Sequence, residues 1–97
     1  MAKLSKKIKK ATIKLRLYIA GDAPNSVQAI ANARRICDAH FADGQFEIVD
    51  LLEHPLRGMA DGIIVTPTLV KLLPLPVQRV IGNLSDTTKV LLALSVR

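Results

Sequence analysis

The sequence predicts a single α/β domain, and three patterns in its first half carry that prediction. Apolar and polar residues alternate over 13–20, which is typical of a half-buried strand. Apolar residues over 25–41 recur on one broad face of a helix. The dense apolar run at 45–52 is typical of a strand covered on both faces. A chain of 97 residues leaves no room for a second core.

Polar turns separate these first elements. Asp22 or Asn25 is predicted to cap the helix, because short polar side chains accept hydrogen bonds from the free amide groups of its first turn. Asp43 and Gly44 are predicted to end it. A strand, a helix and a second strand in this order form a right-handed βαβ unit with parallel strands.

The second half is predicted to add a short helical turn within 53–62, two extended stretches at 63–73 and 77–81, and a terminal helix capped by Ser85. Pro67 interrupts the first of these stretches. A proline is tolerated in a central strand only where the backbone leaves the ladder. The resulting order, β-α-β-(α)-β-β-α with Thr-Pro opening the third strand, is the plan of a thioredoxin-like domain.

The net charge of +6 originates at the N-terminus. Residues 1–16 carry seven Lys or Arg and no acid, whereas the rest of the chain holds seven Lys or Arg against eight Asp or Glu. We therefore predict a flexible basic arm over 1–11 and a nearly neutral domain over 12–97. A basic tail of this kind usually provides solubility and weak attraction to polyanions.

The sequence argues against most enzyme classes. A thioredoxin-like oxidoreductase presents a thiolate at the start of its first helix, but residues 21–26 contain no cysteine. The single cysteine, Cys37, is expected to be a small core residue. His40 and His54 lack further ligands at metal-binding spacing, and no phosphate-binding glycine motif occurs. We expect a binding module without catalytic residues, cofactor or metal.

The expected compartment is the cytoplasm, with no membrane partner. No apolar stretch approaches the roughly 18 residues that a membrane span requires. The basic N-terminus is not followed by the apolar segment of a secretory signal.

Four separated segments, at 17–21, 24–27, 66–69 and 73–85, match the motifs of a known family in the same order. They read Leu-Tyr-Ile-Ala-Gly, Pro-Asn-Ser-Val, Thr-Pro-Thr-Leu and Leu-Pro-Leu-Pro-Val-Gln-Arg-Val-Ile-Gly-Asn-Leu-Ser. These segments resemble the KaiB family of circadian-clock proteins, and the resemblance extends from Leu15 over the rest of the chain.

The resemblance implies a non-enzymatic regulator of a KaiC-like hexameric ATPase and autokinase. Such a protein binds the N-terminal ATPase ring, promotes the dephosphorylated state, and competes with a thioredoxin-like sensor histidine kinase. The resemblance also implies two folds, namely a tetramer with a rearranged C-terminal half and a thioredoxin-like monomer that binds the ATPase. We therefore expect an equilibrium between monomer, dimer and tetramer, in a circadian or stress-response role.

The resemblance assigns a fold-switch segment to six positions of this chain: Pro67, Pro74, Pro76, Gly82, Ala93 and Ser95. Ala93 and Ser95 stand where clock-type members carry Gly and Asp. Replacing Gly by Ala inside a helix is worth about 0.5–1 kcal/mol. The change is expected to favour the thioredoxin-like fold, because that fold ends in a helix.

The expected partner-binding residues are Lys71 and Arg79, which match basic positions of the family; the alternative is that both are solvated strand charges. Tyr18, expected to point outward from the first strand, and Asn25 in the adjoining turn are further candidates. Glu47 occupies a strand position that is basic in clock-type members, so the partner surface there is expected to differ.

Two alternative functions stay open. One is a stand-alone thioredoxin-like sensor or interaction module of two-component signalling. The other is a nucleic-acid-associated protein whose basic arm binds without sequence specificity and with a steep salt dependence. The proline-rich segment at 74–76 favours the ATPase regulator, because a sensor module holds the thioredoxin-like fold without needing a switch.

Overall fold

A computed structural model describes residues 12–94. The predicted arm over 1–11 and the switch position Ser95 lie outside the described residues. The elements follow in the order β1 (Lys14–Ile19), α1 (Pro24–His40), β2 (Gln45–Asp50), α2 (Pro55–Ala60), β3 (Thr68–Leu73), β4 (Gln78–Ile81) and α3 (Thr87–Leu94). The predicted order β-α-β-α-β-β-α is confirmed.

The four strands form one sheet in the order β2-β1-β3-β4. β1 and β2 are parallel, as the βαβ unit requires, while β3 is antiparallel to both β1 and β4. The register aligns one row across the whole sheet, from Glu47 through Arg16 and Val70 to Arg79. Side chains of such a row share one face, so their charges can interact across strands.

The core occupies both faces of the sheet. The larger cluster contains the alternating apolar residues of β1 together with residues of α1 and α3: Ile13, Leu15, Leu17, Ile19, Ala29, Ala33, Ile36, Leu69, Leu84, Val90 and Leu94. A smaller cluster of Tyr18, Val49 and Val70 lies on the opposite face. α2 covers that face, since Gly58 lies against Leu51 beside this cluster. The predicted half-burial of β1 is therefore wrong, because the short helix closes its second face.

The turn after β1 is built without the predicted side-chain cap. α1 begins at Pro24 behind Ala23, and neither Asp22 nor Asn25 caps it. Proline has no amide hydrogen, so the first helical position needs no acceptor. The Ser26 hydroxyl and the Asp50 carboxylate instead accept hydrogen bonds from the backbone of the turn: Ala20 N–H at 3.1 Å and Gly21 N–H at 3.0 Å.

The last helix has a different cap from the predicted one. Asp86 Oδ1 accepts a hydrogen bond from the Lys89 backbone N–H at 3.1 Å, the spacing of an N-cap to the third helical residue. Ser85 lies one position too early for this role. β3 also begins later than expected, at Thr68, because residues 63–67 form a loop that ends in a cis Thr66–Pro67 bond.

Replacing Asp86 with Ala should lower the free energy of unfolding by about 1 kcal/mol, because the first turn of α3 loses its side-chain acceptor. Urea denaturation followed by circular dichroism measures the change. Ser85→Ala is the matched control and should leave stability nearly unchanged; a larger effect from Ser85→Ala than from Asp86→Ala would contradict this cap assignment.

Candidate functional site

Arg16 is the centre of a charge network on the face that α2 covers. Its Nε donates to Glu47 Oε1 at 2.8 Å, and its Nη1 donates to Asp61 Oδ2 at 3.1 Å. Glu47 Oε2 also accepts from Arg57 Nη2 at 3.0 Å. The Arg16 side chain is only 17% exposed, so its charge is balanced by partners from β2 and from the end of α2. The network therefore fastens α2 to the sheet.

Arg79 extends this attachment to β4. Its guanidinium donates to the backbone carbonyls of Asp61 at 2.5 Å and Gly62 at 3.1 Å. Arg79 remains exposed, so part of its surface is still accessible to a partner. The predicted partner contact at Arg79 stays a prediction, but in this fold the side chain also has a structural role.

Glu47, which the sequence suggested as part of a partner surface, is engaged within the molecule. The hydrogen bond from Arg16 lowers the pKa of the Glu47 carboxyl below its ordinary value of 4.5. Burial opposes this effect, and Arg57 lowers the pKa further. A carboxylate held by two guanidinium groups is a poor free anion for a partner.

The structure places two predicted partner residues inside the molecule. Tyr18 is 0% exposed, and its hydroxyl lies 3.3 Å from Arg16 Nη1, which donates to it. The prediction that Tyr18 points outward is wrong, because α2 covers that face. Lys71 is 1% exposed and stands opposite Leu15, on the face covered by α1 and α3. The interpretation of Lys71 as a solvated strand charge is also wrong in this fold.

Asn25 is exposed in the first turn of α1. Because β1 and β2 are parallel and β3 is antiparallel to β1, the carboxyl ends of β1 and β2 and the start of β3 meet near this turn. Exposed aliphatic side chains lie in the loops and helix starts at this edge. We call this set the apolar rim: Val27, Leu52, Leu56, Ile64 and Val65.

The apolar rim is unusually exposed for aliphatic residues. Ile64 is 94% exposed, Leu52 71% and Leu56 74%. Gly21 allows Leu52 to fold over the turn, because a Cβ at Gly21 would lie 2.7 Å from Leu52 Cδ1. Exposed apolar sets of this kind mark interaction surfaces. Sequence reasoning missed the rim, since isolated aliphatic residues in loops carry no periodic signal.

The predicted fold-switch positions are spread over the second half of the sheet. Pro67 is buried at the rim edge, where its carbonyl accepts from the Gly82 N–H at 3.0 Å. Pro74 and Pro76 lie at the opposite edge, in the connection between β3 and β4, and both follow cis bonds. Ala93 lies in the last turn of α3.

Chemistry based on thiols or metals finds no support among residues 12–94. Cys37 is half-buried on α1, and burial raises the pKa of its thiol, which lowers the reactive thiolate fraction. Within the described range, His, Cys, Asp and Glu side chains form no group suited to hold a metal ion. No helix in that part of the chain is both long and apolar enough to cross a membrane.

Comparison with known proteins identifies one family. A family model described as the KaiB domain matches residues 16–96. Circadian clock protein KaiB3 of Synechocystis sp. is 53% identical over 85 residues, which cover 87% of this chain and 83% of that protein. The circadian clock oscillator protein KaiB of Synechococcus sp. is 45% identical over 84 residues, 84% of this chain and 81% of that protein.

Solved structures share the fold at lower sequence identity. Mitochondrial thioredoxin 3 from Saccharomyces cerevisiae has a TM-score of 0.72 at 16% identity, with 98% of this chain and 89% of that chain covered. The N-terminal domain of Synechococcus elongatus SasA has a TM-score of 0.70 at 22% identity, with 88% of this chain and 85% of that chain covered. These likenesses confirm a thioredoxin-like fold.

Glu47→Gln should lower the free energy of unfolding by about 0.2–1 kcal/mol near neutral pH, because two partly exposed ion pairs are lost. The folded-state pKa of Glu47 lies below its unfolded value, so the stabilisation is present above about pH 4.5 and is lost as the pH falls through the folded pKa. The difference between the two proteins should therefore shrink on acidification.

Urea denaturation at about pH 7 and about pH 3 measures this difference. Glu53→Gln is the matched control, because Glu53 is exposed in the loop after β2. A Glu47→Gln effect that is equal at both pH values would show that the ion pairs contribute nothing.

Proposed function

Because this chain belongs to the KaiB family, we propose that it is a non-enzymatic regulatory protein that binds a KaiC-like hexameric ATPase. Binding would modulate the phosphorylation or ATPase state of that partner in a circadian or stress response. One observation carries the proposal: the KaiB domain match spans residues 16–96 of a chain whose thioredoxin-like fold lacks a thiol at the start of α1.

The apolar rim is the surface that we propose for the ATPase. It surrounds the start of α1, where a redox protein of this fold places its thiol. In this chain the same position holds Ala23 and Pro24, and the neighbouring Leu52 and Ile64 are exposed. An edge that keeps its exposed apolar surface without a reactive group is suited to binding rather than to chemistry.

Acidic residues around the apolar rim indicate what charge a partner surface should carry. Asp22 and Glu53 are exposed beside Val27 and Leu52, in the turns that follow β1 and β2. A partner surface with an apolar centre and basic residues at its margin would match this arrangement. Of the residues predicted for partner binding, only Asn25 lies exposed at this edge, and Arg79 would contact the partner through its accessible side.

The thioredoxin-like fold is the state that we propose as competent for the ATPase. Ala93 supports it, because alanine in the last turn of α3 favours helix over the glycine of clock-type members. In the tetrameric fold the same stretch would be rearranged. The equilibrium between monomer, dimer and tetramer would then favour the binding-competent form in this chain.

Ile64→Asp should weaken binding to a KaiC-type hexamer about tenfold or more, since it places a charge in the apolar centre of the proposed interface. Ile64 is 94% exposed, so the folded protein tolerates the change. The measurement is size-exclusion chromatography with light scattering, on the chain mixed with the hexamer and ATP.

Leu75→Asp is the matched control, because Leu75 is 72% exposed at the opposite edge of the sheet. It should leave hexamer binding unchanged. If both variants weaken hexamer binding equally, the apolar rim is not the interface. If the unsubstituted chain fails to bind any KaiC-type hexamer, the regulatory function is wrong and the sensor-module alternative gains support.

Ala93→Gly should shift the equilibrium about two- to fivefold toward the rearranged oligomer, because it weakens α3 by about 0.5–1 kcal/mol. The fraction of tetramer, measured by light scattering, should rise. Ala31→Gly is the control: Ala31 is exposed in α1, which lies in the first half of the chain. It should lower unfolding stability without changing the oligomer distribution, and an equal tetramer rise in both variants would contradict the assignment.

A further inference from the structure

β4 is an outer strand of the sheet, and one side of its backbone faces away from β3. Among the strands of residues 12–94, β4 pairs with β3 alone, at the end of the order β2-β1-β3-β4. An outer strand presents free N–H and C=O groups that can pair with a further strand. The outward side of β4 is therefore a candidate interaction surface.

The register identifies the free backbone groups of β4. The Gly82 N–H donates to the Pro67 carbonyl at 3.0 Å, so Gly82 is a hydrogen-bonded position of the ladder with β3. Such positions alternate along an antiparallel strand, which places Val80 in the same class. The N–H and C=O groups of Arg79 and Ile81 therefore point outward. Within residues 12–94 no hydrogen-bond partner for these four groups is found.

Side chains leave this edge accessible. Ile81 is 68% exposed, and a Cβ at Gly82 would have no heavy atom within 4 Å. The charged side chain of β4, Arg79, is engaged by the carbonyls of Asp61 and Gly62. Natural sheets protect an outer strand with free lysines, prolines or bulges, and β4 has none of these. The free backbone groups can therefore be reached by another strand.

We propose that β4 pairs with β4 of a second copy of this chain, antiparallel about a twofold axis at Val80. An antiparallel pair of identical strands has twofold symmetry, so the same residues serve both copies. Arg79 of one copy would exchange two backbone hydrogen bonds with Ile81 of the other, and symmetry doubles this set. The two four-stranded sheets would then form one continuous sheet.

Charge and strand length select this register. Directly opposed residues share one face of the sheet, so a symmetric pairing moves its centre one residue at a time. Centring on Arg79 would oppose two guanidinium groups, which is destabilising. Centring on Ile81 would leave Arg79 without a strand partner, because β4 ends at Ile81. Only the pairing centred on Val80 uses all four outward groups and places an apolar side chain opposite each arginine.

A second copy suits this edge better than an unrelated strand. Residues 12–94 carry eight Lys or Arg and eight Asp or Glu, so two of these domains do not repel each other through net charge. β4 is also its own complement, because Arg79 and Ile81 occupy the two positions that must pair. An unrelated strand would need the same backbone groups and would compete with the dimer.

Sedimentation velocity of the full chain over a concentration series tests the proposal. β4 has four residues, so the contact is smaller than a standard interface, and we expect a dissociation constant on the order of 10–100 μM. Ile81→Lys should raise that constant about tenfold or more, because it opposes a lysine to Arg79 of the second copy twice in the symmetric dimer. Ile81→Glu should not raise it, since the carboxylate would pair with the same arginine.

Leu52→Lys is the matched control for Ile81→Lys. It adds the same charge at a residue that is 71% exposed, but Leu52 follows β2, the outer strand on the other side of the sheet. The dissociation constant of this variant should equal that of the unsubstituted chain.

A thiol at the twofold axis identifies the strands in contact. Val80→Cys, in a chain that also carries Cys37→Ala, would place two thiols opposite each other at a spacing that suits a disulfide. Mild oxidation with diamide should then link two chains on a non-reducing gel. Leu52→Cys in the same background should stay unlinked.

Three outcomes would overturn the proposal. The first is a chain that stays monomeric at every concentration, which would leave the edge to a different strand. The second is self-association that Ile81→Lys and Ile81→Glu change equally or not at all, which would place the contact elsewhere. The third is Val80→Cys that links no more than Leu52→Cys. These assays contain no ATPase, so their results are independent of the proposed function.

Discussion

The arrangement of this domain depends on the Arg16 guanidinium. It bonds to Glu47 on the neighbouring strand, to Asp61 at the end of α2 and to the Tyr18 hydroxyl on its own strand. α2 has six residues, too few to be stable as an isolated helix. Its position on the sheet therefore comes from these charge-assisted bonds and from the packing of Gly58 on Leu51. Without that helix Tyr18 would lie in water, as its place in the alternating pattern suggests.

The same attachment determines what the molecule can present to others. Fixing α2 on one face brings its first residues and the two loops around it to the end of β1, where Leu52, Leu56 and Ile64 project into solvent. The edge where a redox protein of this fold places its thiol is exposed in this chain as well, and it carries aliphatic groups instead.

The sequence predicts those features of the fold that depend on local residue patterns. The strands and helices of the first half were predicted correctly, because alternation in β1 and the helical spacing of α1 are properties of neighbouring residues. The caps were not, since Pro24 removes the need for one and Asp86 competes with the adjacent Ser85. The burial of Lys71 and Tyr18 depends on which helices cover each face, and no single-strand pattern contains that information. For this reason two of the four predicted partner residues are buried, and only Asn25 and Arg79 are exposed.

The Arg79 contact links the two halves of the chain in a particular way. Its acceptors are the main-chain carbonyls at 61 and 62, so the bond is indifferent to most side chains that could stand there. Gly62, with a φ of +67°, is the exception, because other residues rarely adopt that conformation. A chimaera that joined this N-terminal half to the C-terminal half of another family member would keep the link whenever the incoming strand supplied an arginine at the same register. Most side chains in the loop after α2 can therefore change without loss of this link. The link itself requires an arginine at position 79 and a glycine at position 62.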